Sequence, residues 1–210
     1  MYKSIIFDVD GTLIDTEIAV LGSLQAMLKF DYGRESNTEE LMFVLGIPGS
    51  TSLPQLGIYN IDEGMQRWNE RMKDFYDSIK VFEGIPEVLE ALKTGSIVQG
   101  IVTSKTAEEL RDDFIPFGLM DYLDHTVCAD DTEKHKPHPD PLLEFLERSG
   151  AEAHSSLYIG DTLYDYECAR DAGVDFGLAL WGCKNHDHIP AKYKFEHPTD
   201  ILRLAAMPSK

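Results

Sequence analysis

The chain has 210 residues, 43% apolar and 27% charged, which suits one large soluble domain or a core with a smaller insert. Nineteen basic against 37 acidic residues give a net charge of −18, which argues against a nucleic-acid backbone or an anionic membrane surface as partner. No apolar run approaches the roughly 18–20 residues of a membrane span, and Met1 leads straight into a strand pattern without a signal-peptide core, so a cytoplasmic location is expected.

The first strand is Ile5-Ile6-Phe7, an apolar run that stops at Asp8. Thr16 is positioned to cap a helix whose apolar residues Ile18, Leu21, Leu24 and Leu28 recur every three or four positions. Gly33 and Ser36-Asn37-Thr38 break it. A second helix is expected over Glu39–Leu45, then a loop at Gly46–Ser50, then a long helix over Asp62–Ile79. No strand is evident between Thr16 and Ile79.

The pattern then changes to alternating elements. Pro86 opens a helix that Gly95 ends. Ile97–Thr103 reads as a strand, and Thr106 with Glu109 forms a capping box for the next helix. A short strand is expected near Thr126–Ala129, a helix from Asp140 to Gly150, a strand at Leu157–Ile159, a helix ending at Gly173, and a fifth strand over Phe176–Leu180. This alternation implies a parallel sheet of about five strands with helices on both faces. Residues 1–15 and 80–210 would form that core. Residues 16–79 would be an all-helical insert on the first strand-to-helix connection, above the carboxyl edge of the sheet.

Cys128, Cys168 and Cys183 are widely spaced, odd in number and contain no C-x-x-C, so reduced thiols are expected rather than disulfides or zinc.

The chemistry sits at the strand ends. Asp8 and Asp10 stand two positions apart with no basic partner nearby in sequence, just before Gly11. Two such acids suit a metal ion, or a shared task in which one ionises and the other holds a proton. Later strand ends and loops supply Thr103-Ser104-Lys105, Lys136-Pro137-His138-Pro139-Asp140 and Gly160-Asp161-Thr162-Leu163-Tyr164-Asp165.

Together the stretches DVDGTLIDT, VTSK, KPHPD and GDTLYD resemble the haloacid-dehalogenase superfamily, in that family's order, and especially its phosphatases related to phosphoglycolate phosphatase, with β-phosphoglucomutase as a cousin. The resemblance implies a Rossmann-like core and a helical cap over 16–79 that opens and closes. It also implies a Mg²⁺-dependent phosphatase acting on a small phosphate ester through a phosphoaspartyl intermediate. Asp8 would be the nucleophile and Asp10 the general acid and base. Thr103, Ser104 and Lys136 would hold the phosphate. Asp8, the Asp10 backbone carbonyl and Asp161 would bind Mg²⁺, with Asp165 behind them orienting Lys136 or a metal-bound water. Asp10 favours an oxygen leaving group, because departing halide needs no proton.

Competing functions are a phosphosugar mutase, a pyrophosphatase, a phospho-aspartate signalling module and a binding partner without activity. The last two fit poorly with the helical insert and the intact set Asp8, Asp10, Lys136 and Asp161. His135 and His138 are expected to be exposed loop residues. Asn185-His186-Asp187-His188 looks metal-like but fits no spacing in the motif set. Arg67 and Arg71 are expected to pair with Glu63 or Glu70 rather than reach a substrate. Gly46–Ser50 reads equally well as a specificity loop or an interhelical turn.

Overall fold

The computed structural model describes residues 2–184 and 188–205. It divides into two units, Met1–Ile14 with Val81–Lys210, and Asp15–Lys80. In chain order the strands are β1 (Ser4–Phe7), β2 (Ile14–Asp15), β3 (Lys80–Val81), β4 (Val98–Val102), β5 (His125–Val127), β6 (Ser156–Gly160), β7 (Asp175–Ala179) and β8 (Tyr193–Phe195). The α-helices are α1 (Glu17–Tyr32), α2 (Thr38–Leu41), α3 (Gly49–Ser52), α4 (Ile61–Met72), α5 (Ile85–Thr94), α6 (Ala107–Asp113), α7 (Asp140–Ser149), α8 (Leu163–Ala172) and α9 (Leu202–Ala205).

The first unit is a parallel sheet in the order β5-β4-β1-β6-β7-β8, with helices on both faces. Every residue of β1 is buried, as a strand covered on both faces requires. Phe7 pairs with Ile101 of β4 on one side and Ile159 of β6 on the other. From β1 the chain moves outward through β4 and β5, then returns to β6 and runs the other way. The strand order therefore reverses between β1 and β6, and the crevice at such a reversal is where α/β sheets hold ligands.

One face of the sheet packs Ile6, Val102, Val127, Tyr158, Phe176 and Leu178 against Leu142 and Phe145 of α7 and Cys168 and Ala169 of α8. Gly100 makes this approach possible. A Cβ there would lie 2.3 Å from the Phe145 ring and 2.4 Å from the His125 carbonyl oxygen.

The sheet has six strands rather than about five. The extra strand, β8, is three residues at an edge with no apolar run to announce it. β2 and β3 are two-residue strands that pair with each other at the two chain crossings between the units. Thr106 and Glu109 form the expected capping box, with Glu109 N donating to Thr106 Oγ1 at 3.2 Å and Thr106 N to Glu109 Oε2 at 2.8 Å.

The second unit is helical. Leu21, Leu24, Met27 and Leu28 of α1 are buried with Leu41, Val44, Leu53, Ile58 and Trp68. The indole N–H of Trp68 donates to buried Ser23 Oγ at 2.9 Å. Several local expectations fail here. Thr16 precedes α1, but its side chain makes no capping hydrogen bond, and Ile18 is 66% exposed. The long helix ends at Met72 and tightens into a 3-10 turn over Lys73–Ser78. The loop at Gly46–Ser50 gives way to α3, whose first residue is Gly49. Arg67 does pair with Glu63, at 2.5 Å, but Arg71 takes Asp31 of α1 at 3.0 Å while Glu70 takes Lys73. The sequence misses Asp31 because it lies a full helix away.

Candidate active site

Asp8 is the first residue beyond β1, and its amide donates to the Ile159 carbonyl of β6 at 2.8 Å. The chain then turns sharply. The amides of Thr12, Leu13 and Ile14 all donate to the Val9 carbonyl, at 3.3, 2.9 and 3.0 Å. Gly11 sits in the turn at φ +74°, a conformation that side chains resist, and a Cβ there would lie 2.3 Å from Asp161 Oδ2. Behind the turn, Trp181 Nε1 donates to the Thr12 carbonyl at 2.9 Å. A Cβ on Gly182 would stand 1.7 Å from the Gly11 carbonyl oxygen. Residues 8–12 are thus held between Asp161 and the 181–182 segment.

Lys136 stands at the centre of this edge. Its buried ammonium lies 2.9 Å from Asp8 Oδ1, 2.7 Å from Asp165 Oδ1 and 3.3 Å from the Tyr158 hydroxyl. That hydroxyl lies within donating distance of the Val102 carbonyl, at 2.9 Å, and of Asp165 Oδ1, at 3.0 Å. Thr162 and Asp165 form a second capping box at the start of α8. Asp165 therefore spends one oxygen on the helix end and the other on Lys136. Asp161 accepts from Thr12 Oγ1 at 3.3 Å.

Asp10 goes elsewhere. Its Oδ1 is 2.9 Å from Lys105 Nζ, which also donates to Asp113 Oδ2 of α6 at 2.6 Å. Thr103 is buried at the end of β4, where its Oγ1 accepts the Lys105 amide at 3.2 Å. Ser104 follows in the same loop.

The electrostatics are unbalanced. Asp165 and Asp10 act on Asp8 and Asp161, Asp10 and Glu109 act on Asp113, and Lys136 and Lys105 oppose them. Burial pushes Asp8 up to about 7, with Asp165 and Asp10 adding to the effect and Lys136 opposing it. Burial, then Asp165 and Asp8, push Asp161 well above the usual carboxylate range. Burial works against the Lys136 and Lys105 ammonium groups, but their acidic neighbours overcome it and hold both protonated. A surplus of buried negative charge of this kind suits a divalent cation. Asp8, Asp161 and Asp165 each offer a carboxylate oxygen within 4.8 Å of the others, close enough to share one.

Of the expected site residues, Asp8, Lys136, Asp161 and Asp165 meet at this edge. The Asp10 side chain is paired with Lys105 beside them. Lys105 stands in the VTSK stretch without an expected role, and Asp113 and Tyr158 are not among the expected site residues. The T-x-x-D spacing of Thr162 and Asp165 was a legible capping signal. His138 is exposed as expected, but His135 is half-buried, with its Nδ1 enclosed and unpartnered among the described residues. Asn185, His186 and Asp187 lie outside the described residues, and His188 is exposed.

Fold and site define an α/β protein with a lysine-bridged acidic site at the carboxyl edge of a parallel sheet. The family model for haloacid dehalogenase-like hydrolases matches residues 5–179. A Caldanaerobacter subterraneus protein provisionally named pyrophosphatase PpaX is 34% identical over 85% of this chain and 81% of its own. A Xylella fastidiosa phosphoglycolate phosphatase is 29% identical over 98% of this chain and 92% of its own. The crystal structure of a Lactobacillus plantarum protein provisionally named phosphoglycolate phosphatase superposes with a TM-score of 0.89. It is 33% identical and covers 97% of this chain and 99% of its own. The chain belongs to the haloacid dehalogenase-like hydrolase family, and it is an enzyme of the phosphatase type.

Proposed function

We propose that the enzyme is a Mg²⁺-dependent phosphatase that hydrolyses a small phosphorylated metabolite through a phosphoaspartyl intermediate. The observation that carries this reading is the bridge from Lys136 to Asp8 and Asp165, with Asp161 in the same cluster. Asp8 attacks phosphorus, and the bond to the leaving oxygen breaks as Asp10 gives that oxygen a proton. Water then attacks the aspartyl phosphate, Asp10 takes its proton, and the phosphorus–oxygen bond to Asp8 breaks. Inorganic phosphate departs and both carboxyl groups are restored. Thr103, Ser104 and Lys136 bind the phosphoryl oxygens. Asp8, Asp161 and the Asp10 carbonyl would hold Mg²⁺, which when bound offsets the surplus negative charge and polarises the phosphoryl group. Residues 16–79 are read as the cap that selects substrate.

The relatives' names favour two substrate classes, a phosphoglycolate-like phosphate monoester and pyrophosphate. Assay of the purified enzyme on phosphoglycolate, pyrophosphate, sugar phosphates and nucleoside monophosphates separates them. Asp8→Asn should abolish hydrolysis of p-nitrophenyl phosphate with the melting temperature retained. Persistent turnover in that variant would exclude the covalent route.

A further inference from the structure

We infer that Lys105, itself held by Asp113, is a positioning residue that fixes the orientation of Asp10 for proton transfer to the leaving oxygen. This rests on the acid–base reading of Asp10 given above.

Lys105 is an improbable surface lysine. Its side chain is 8% exposed, and its ammonium sits between Asp10 Oδ1 and Asp113 Oδ2. Its backbone is pinned on both sides, because its amide donates to Thr103 Oγ1 and its carbonyl accepts from Ala129 N at 2.8 Å. Asp113 belongs to the last turn of α6, and its side chain is 3% exposed. The ammonium therefore projects from a fixed backbone to a fixed counter-ion, and the third member of the group is Asp10.

Such a group is a poor device for stability. Buried charges lose hydration, and apolar side chains of similar volume usually hold a fold as well. Asp113 Oδ1 is also buried without a hydrogen-bond partner among the described residues. What the group does supply is direction. Asp10 leaves the turn at residues 9–14 half-buried, and a carboxylate there has rotamers to choose from. Pairing Oδ1 with a rigid ammonium selects among them, and proton transfer depends steeply on such alignment.

The test uses two aryl phosphates that differ mainly in leaving group, p-nitrophenyl phosphate and phenyl phosphate. The phenolate of the second departs less readily and needs the proton more. The parameter is kcat/KM, which reports transfer to Asp8 and not the later hydrolysis. Lys105→Met should lose roughly tenfold more kcat/KM on phenyl phosphate than on p-nitrophenyl phosphate. In the Asp10→Asn background it should add no further leaving-group dependence, because it acts through Asp10. Asp113→Asn keeps the lysine and an acceptor but loosens the anchor, and it should show a smaller effect of the same sign. It serves also if Lys105→Met does not fold. Equal losses on both esters, or no loss, would overturn the inference while leaving the phosphatase reading intact. If Asp10→Asn itself shows no leaving-group dependence, the acid–base reading has failed and the inference falls with it.

Discussion

Lys136 Nζ lies 2.7 Å from Asp165 Oδ1 and 2.9 Å from Asp8 Oδ1, with all three side chains buried. Removing Asp165 takes away the nearer of these two carboxylates and leaves the ammonium with Asp8. Asp165→Ala should cost about 1.5–3 kcal/mol of stability, read as a fall in the urea midpoint. Asp165→Asn preserves the capping bonds to Thr162 in part. It should keep the fold and lose about 10–100-fold in activity through a misplaced Lys136.

Mg²⁺ should stabilise the protein as well as activate it. The acidic cluster repels itself when no cation is bound, so metal binding favours the folded state. At 100 times its dissociation constant the gain is about 2.7 kcal/mol, visible as a rise in melting temperature after chelator-treated protein is resupplied. A melting temperature indifferent to Mg²⁺ would remove Asp8 and Asp161 from metal binding.

The metal-free protein should lose stability as pH rises from about 4 to about 7. In the folded chain, burial raises Asp8 to about 7 and Asp113 to about 6, from the ordinary 3.8. Across that window the folded state holds protons that the unfolded state has released, so stability falls with pH. Carboxylates lowered by hydrogen-bonded partners, such as Asp31 beside Arg71, act in the opposite sense but only below about pH 4. Urea midpoints of chelator-treated protein at pH 5 and pH 7.5 check the sign, and Mg²⁺ should flatten the difference.

Gly11→Ala should damage the site directly. The left-handed backbone alone costs about 1–2 kcal/mol, and the new methyl must also displace the Asp161 carboxylate. Weaker Mg²⁺ binding should accompany the loss of turnover. Gly100→Ala is the contrasting case, since its Cβ would meet Phe145 and the His125 carbonyl within the core. It should cost about 1–3 kcal/mol or more through overpacking, detectable in the urea midpoint.

What could be read in the sequence was whatever declares itself locally. The β1 run ending in Asp8, the Thr106–Glu109 box and the glycine at the end of α8 each carry their signal within a few residues. Lys105 lies in the VTSK stretch but has no role there that the sequence declares, because its burial exists only once α6 places Asp113 beside it and the turn after β1 places Asp10 opposite. Tyr158 hides for the opposite reason. Between Leu157 and Ile159 it looks like plain core, and its ring does pack near Phe176 at 6.2 Å, while its hydroxyl reaches Lys136. Asp165 is named through the resemblance as a partner of Lys136, and the fold adds that it caps α8 at the same time.

The central place of β1 has a consequence for how the enzyme comes into being. β1 precedes in the chain both strands that flank it, and the carbonyl that receives the Asp8 amide belongs to Ile159. During synthesis the strand carrying the proposed nucleophile must wait, unpaired on one side, until β6 has been made. Pairings this distant in sequence form slowly. The proposed catalytic centre therefore forms at a late stage of folding, once the segment ending in Asp8 pairs with β6.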